Sequence, residues 1–148
     1  MKSPLLLALR ACALFCSPLA MSTAVGAPTL IFFEPTPLDR PTAVQAAIDV
    51  CVNFVKAHEL DAASRPCDVA LSAAQRDGTG AWSVAFTPRL FAEQIAVAYN
   101  NRAVLRLLSG QLELAAADAS HAMKAAPLPG IASTVEAIRA RQHVAAAL

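Results

Sequence analysis

Few residues in this 148-residue chain have the chemistry to act as metal ligands or nucleophiles. His58, His121 and His143 fall in separate stretches, and the cysteines are Cys12, Cys16, Cys51 and Cys67. A protein metal site draws on such residues at short, fixed spacings. No His-x-x-x-His, Cys-x-x-Cys or Glu-x-x-His spacing occurs, so no metal ligands are expected. Cys51, His58 and Asp61 have the types of a nucleophile, a base and an orienting acid. Seven positions apart on one helix, however, Cys51 and His58 would lie about 10 Å apart along its axis, beyond hydrogen-bond reach. A core cysteine and a turn histidine are the simpler reading. The phosphate-cradling patterns G-x-x-x-x-G-K and G-x-G-x-x-G are absent, as is the nucleophile elbow G-x-S-x-G. The sequence predicts no catalytic residue, no cofactor and no enzyme.

The elements that remain must serve binding or assembly. The chain is 56% hydrophobic but only 5% aromatic, and alanine supplies much of the apolar content. Alanine favours helices with small, closely approaching faces and builds sheets poorly. Residues 27–148 carry ten basic and eleven acidic side chains, spread along the chain. Without a basic patch, neither nucleic acid nor an anionic lipid surface is an expected partner.

The first residues have the layout of a secretory signal: a basic Met1-Lys2-Ser3 start, apolar Leu5–Leu9 and Ala11–Cys16, then small residues from Ala20 to Ala27. Ala24-Val25-Gly26 before Ala27 predicts cleavage near Gly26/Ala27, making residues 1–26 a signal peptide and the protein exported, periplasmic or secreted. The alternative is a membrane-anchored structural or assembly subunit that keeps residues 4–25. Arg10, Pro4 and Pro18 interrupt the long apolar run such an anchor needs. Cleavage would remove Cys12 and Cys16, leaving Cys51 and Cys67 in an oxidising compartment that allows them to pair.

Residues 28–41 hold four of the ten prolines and are barred from forming a helix, which predicts an extended arm over 27–41. From Thr42 the apolar period changes. Val44, Ala47, Ile48, Cys51, Val52 and Val55 recur at helical spacing, giving a helix over about 41–57. A second helix is expected over about 61–75, with Pro66 marking where its regular part begins. Residues 76–87 contain Asp77-Gly78-Thr79-Gly80 and read as an insert loop. Thr87-Pro88 opens a third helix to about Leu108, stopped by Ser109-Gly110. A fourth covers about 112–125. Ser133 and Glu136 have capping-box spacing, opening a last helix over about 131–146.

Residues 96–129, with Tyr99, Ala103, Gly110, Ala115, Ala122 and Pro127 in register, resemble a tetratricopeptide repeat over its full length. Arg106 stands where the repeat usually has an aromatic, and Ala119 where it has a larger residue. A degenerate second copy lies over about 44–77, with Cys51, Phe54, Ala63 and Ala70; its turn glycine is His58 and its closing proline is Gln75. The resemblance implies an all-α domain of antiparallel helical hairpins over 42–148, about five helices, capped by the helix at 131–146. It places Cys51 and Cys67 on facing helices of one hairpin, where they form a disulfide or remain as two buried thiols.

Stacks of this family commonly present the first helix of each hairpin to a peptide. Here that implies Val97, Asn100, Asn101 and Val104 as ligand-binding residues, Asn101 matching an asparagine the family uses to bond a ligand backbone or carboxylate. Ile48 and Val52 stand where a carboxylate clamp would have its polar groups, so an acidic C-terminus is not the expected ligand. The partner implied is a protein or extended peptide in the cell envelope. For Asn100-Asn101 the competing reading is a solvated helix face. A thiol-redox role would require Cys51 or Cys67 to be free.

Overall fold

A computed structural model describes residues 26–32, 42–77 and 88–147; residues 1–25 of the expected signal segment, the proline-rich residues 33–41 and residues 78–87 of the expected insert lie outside them. The architecture is all-α, as expected. The helices are α1 (Ala43–Lys56), α2 (Leu60–Asp77), α3 (Pro88–Leu108), α4 (Leu112–Ala125) and α5 (Pro129–Ala146). No strand occurs among the described residues.

Local chemistry sets each boundary. Thr42 caps α1 through a reciprocal box: its hydroxyl accepts from the Gln45 N–H at 3.2 Å, and the Gln45 side chain accepts from the Thr42 N–H at 2.8 Å. The helix therefore begins after Thr42 and not at Pro41. Helix α2 starts at Leu60 and runs through Pro66, where the sequence suggested a later start. The bond that proline forgoes would have gone to the Ala62 carbonyl, on an exposed turn where solvent can serve it. The expected capping box at Ser133 does not form. Pro129 starts α5 at its first turn, with Leu128 as an extended N-cap, and Ser133 lies inside the helix.

The two hairpin turns repeat each other. In the first, the Ala57 N–H bonds the Asn53 carbonyl, His58 bonds Val55, and Glu59 bonds Phe54. In the second, fifty-two positions later, Ser109 bonds Leu105, Gly110 bonds Leu107, and Gln111 bonds Arg106. Both turns pass through the left-handed region, at Gly110 (φ 75°) and His58 (φ 58°). Small residues facing each other across each hairpin also correspond. Cys51, Ala63, Cys67 and Ala70 in the first match Ala103, Ala115, Ala119 and Ala122 in the second, all buried. The Cys51–Cys67 disulfide is thus built where the second hairpin packs alanine on alanine, with Cα atoms 4.6 Å apart.

Consecutive helices pack against one another, and α3 also touches α1 and α5, whereas α2 and α4 do not meet. Helices α1, α3 and α5 therefore form an inner layer, with α2 and α4 splayed behind it. One core joins α1 and α2 to α3 through Val44, Ile48, Val52, Val55, Leu71, Val97 and Val104. Two smaller cores hold α4 and α5 on α3, around Ala103, Leu107 and Ile138 and around Ala96, Ala122 and Ile131. Full burial of a side chain such as Ile48 or Ile131 contributes about 1.5–3 kcal/mol.

Candidate functional site

The apolar run Thr29–Phe32, barred from a helix by its flanking prolines, must cover its main-chain polar groups some other way. It lies extended across the inner layer, held by side chains of α3 and α5. Asn101 binds both main-chain groups of one residue. Its Oδ1 accepts from the Ile31 N–H at 2.9 Å, and its Nδ2 donates to the Ile31 carbonyl at 2.6 Å. Asn100 Nδ2 donates to the Thr29 carbonyl at 2.7 Å, and the Thr29 N–H donates to Thr134 Oγ1 at 3.2 Å. Residues two apart in an extended chain face the same edge. The arm thus turns the polar groups of Thr29 and Ile31 toward this row of asparagine, asparagine and threonine.

Side-chain fit fixes the register. A Cβ at Gly130 would lie 3.0 Å from Ile31 Cδ1, 3.1 Å from Ile31 Cγ1 and 3.2 Å from Thr29 Cγ2, so the arm seats where α5 offers bare backbone. At the other end the Lys56 ammonium of α1 lies 4.7 Å from the centre of the Phe32 ring. The arm therefore engages all three inner helices. The groups that bind its main chain are uncharged, and they read backbone more than side-chain identity.

The Asn100 amide is less completely used. Among the described residues its Oδ1 has no hydrogen-bond partner, although the side chain is fully buried. An orphaned buried acceptor costs about 1–3 kcal/mol.

Of the four expected ligand-binding residues, the structure brings Asn100 and Asn101 together on the arm, not on a solvated face. Val97 and Val104 are packed in the core against α1 and α2 and present no surface to a ligand. Sequence reasoning missed Thr134 and Gly130. Pro127-Leu128-Pro129-Gly130 reads as a terminator, which hides the fact that its second half begins the helix that seats the arm. The signal that could have found the occupant is the TLIF run itself, since an extended apolar segment needs a face to cover.

Behind the inner layer Asp118, only 2% exposed, accepts from Arg102 Nε at 2.8 Å, Arg102 Nη2 at 2.9 Å and Arg106 Nη1 at 2.6 Å. Arg102 also reaches Asp68 of α2 at 2.7 Å. The bond to Asp118 holds the Arg102 guanidinium protonated even beyond its ordinary range, against the opposing effect of burial and with further help from Asp68. Arg106 of α3 therefore fastens α4 to α3 by charge. Tyr99 accepts a bond from Gln75 at 3.2 Å and stacks on His121 with ring centres 5.0 Å apart.

The histidines do not converge. His58 is in the first turn, His121 is on α4, and His143 lies at the end of α5, all exposed. No group of three or more His, Cys, Asp or Glu residues among the described ones could hold a metal ion. Cys51 and Cys67 are both consumed in the buried bridge, so Cys51 is no nucleophile for His58, and neither thiol is free. No described helix is long and apolar enough to cross a membrane. No family model, curated protein or solved structure matches the chain.

Proposed function

We propose that this chain is an exported, non-enzymatic scaffold with a tetratricopeptide-like core, whose inner layer binds an extended protein or peptide segment in the cell envelope without a cofactor. One observation carries this reading: Asn100 and Asn101 hold an extended main chain by its own N–H and carbonyl groups. Peptide recognition by main-chain pairing needs this geometry, with neighbouring contacts supplying selectivity. Support for the family comes from the asparagine at the position where such stacks place a ligand contact, and from two hairpins whose turns repeat fifty-two positions apart. Support for export comes from the basic, apolar and small-residue order of residues 1–27.

The test is selection of a displayed heptapeptide library on the purified protein, followed by binding of the enriched peptides to the Asn100→Ala and Asn101→Ala variants. Enriched sequences should share an extended, branched-aliphatic character and lose at least about tenfold in affinity with either variant, the equivalent of one hydrogen bond left unmade. Failure to enrich any sequence, or enrichment indifferent to both substitutions, would sink the proposal.

A further inference from the structure

The segment that occupies the groove belongs to the chain itself, and its fit describes what the groove accepts. From α5 to α1 the seat offers a hydroxyl acceptor at Thr134, two amides at Asn100 and Asn101, a bare-backbone notch at Gly130 and a cation at Lys56. The arm answers with a small β-branched residue at Thr29, a branched aliphatic at Ile31 and an aromatic at Phe32. Each polar contact to the arm uses main chain, so any extended segment of that side-chain pattern meets the same donors and acceptors.

Occupation is incomplete in one respect. Asn101 spends both halves of its amide on Ile31, whereas Asn100 spends only its N–H donor and leaves a fully buried acceptor without a partner among the described residues. A segment that also brought an N–H to that oxygen would satisfy every group the arm satisfies and one more.

We infer that residues Thr29–Phe32 are an intramolecular ligand: the groove takes, in trans, an extended segment with a small β-branched residue, a branched aliphatic two positions on and an aromatic after it, and the arm competes with that segment for the seat. This deepens the peptide-binding reading above and rests on it. The apparent affinity of a site available only part of the time falls in proportion to that fraction. An arm seated about 90–99% of the time masks about tenfold to a hundredfold of the groove's affinity.

The probe is the peptide Ala-Pro-Thr-Leu-Ile-Phe, the chain's residues 27–32, carrying a fluorescein-labelled lysine at its C-terminus and followed by anisotropy. It is titrated into the unaltered protein and into the Ile31→Asp variant, whose arm cannot seat against Gly130, with helicity checked by circular dichroism. The peptide should bind the variant about tenfold to a hundredfold more tightly, and adding Asn101→Ala to the variant should weaken that binding again. Hydrogen exchange on the unaltered protein gives a readout without mutation: saturating peptide should strip the Ile31 amide of protection. Equal affinity for both folded proteins would overturn the competition while leaving a peptide site standing. Absence of binding to either folded protein would remove the peptide site as well.

Discussion

Reducing the Cys51–Cys67 bridge should destabilise the protein by about 3 kcal/mol. The bridge closes a loop with a sequence separation of 16 and joins α1 to α2, so opening it frees the unfolded chain. The loop-closure relation, with its logarithmic dependence on loop length, gives about 10 cal/mol/K for that span, or about 3 kcal/mol at room temperature. Native packing need not change much, because the sulfurs sit in a buried seam that the second hairpin fills with Ala103 and Ala119. Urea unfolding of the oxidised and reduced protein measures the difference. With a slope of about 1.5–2 kcal/mol/M the midpoint should fall by about 1.5–2 M. The Cys51→Ala/Cys67→Ala variant separates constraint from packing. If loop entropy dominates, it should match the reduced protein to within about 1 kcal/mol, the cost expected of a small cavity. An unchanged midpoint on reduction would refute the reasoning.

Individual contacts and turns set the remaining outcomes. Asp118→Ala leaves Arg102 and Arg106 facing each other, and because both arginines are about a fifth exposed the loss should be about 2 kcal/mol, below that of a fully buried pair, read as a fall in thermal midpoint. Arg102 is held protonated above its ordinary range, so its contribution is intact below the unfolded value and is lost only as pH rises through the higher folded one; Arg102 should therefore add no pH dependence to the urea midpoint near neutrality. His58→Gly should stabilise by about 0.5 kcal/mol, since it relieves a left-handed conformation costing about 1–2 kcal/mol but adds glycine's unfolded-state entropy. Gly110→Ala should destabilise by about 1 kcal/mol at the matching turn, as urea midpoints of the pair would reveal. Gly130→Ala puts a methyl 3.0 Å from Ile31 Cδ1, so amide protection of the arm should drop by about tenfold or more while helicity holds or rises.

The helices were legible because their signals are local. The apolar steps of Val44, Ile48, Cys51, Val52 and Val55 give α1, and those same residues are its buried face. Gly110 marks the second turn, and the fifty-two-residue offset from Cys51 to Ala103 carries through to the hydrogen bonds of both turns. Where the reading slipped, two local signals competed. Pro66 disrupts a helix in the abstract, yet here the bond it omits points to solvent. Ser133 and Glu136 have capping spacing, yet Pro129 had already begun α5, and the hydroxyl that matters one residue later, Thr134, faces the arm.

The site itself was half legible, and the missing half shows what a single sequence withholds. Adjacent asparagines in α3 fit equally well on a wet helix face or on a ligand, because helical period does not say what lies against a face. Arm and groove are about seventy positions apart, from Thr29 to Asn100, and the Thr29–Thr134 contact spans 105. No propensity or periodicity acts over that distance. What does act is satisfaction: buried asparagines must bond something, and an extended apolar run must hide its backbone. Each half poses a deficit that the other half removes. Among the described residues one acceptor is left over, Asn100 Oδ1; it is the point at which that mutual solution falls short, and so the point at which a better-matched segment gains on the arm.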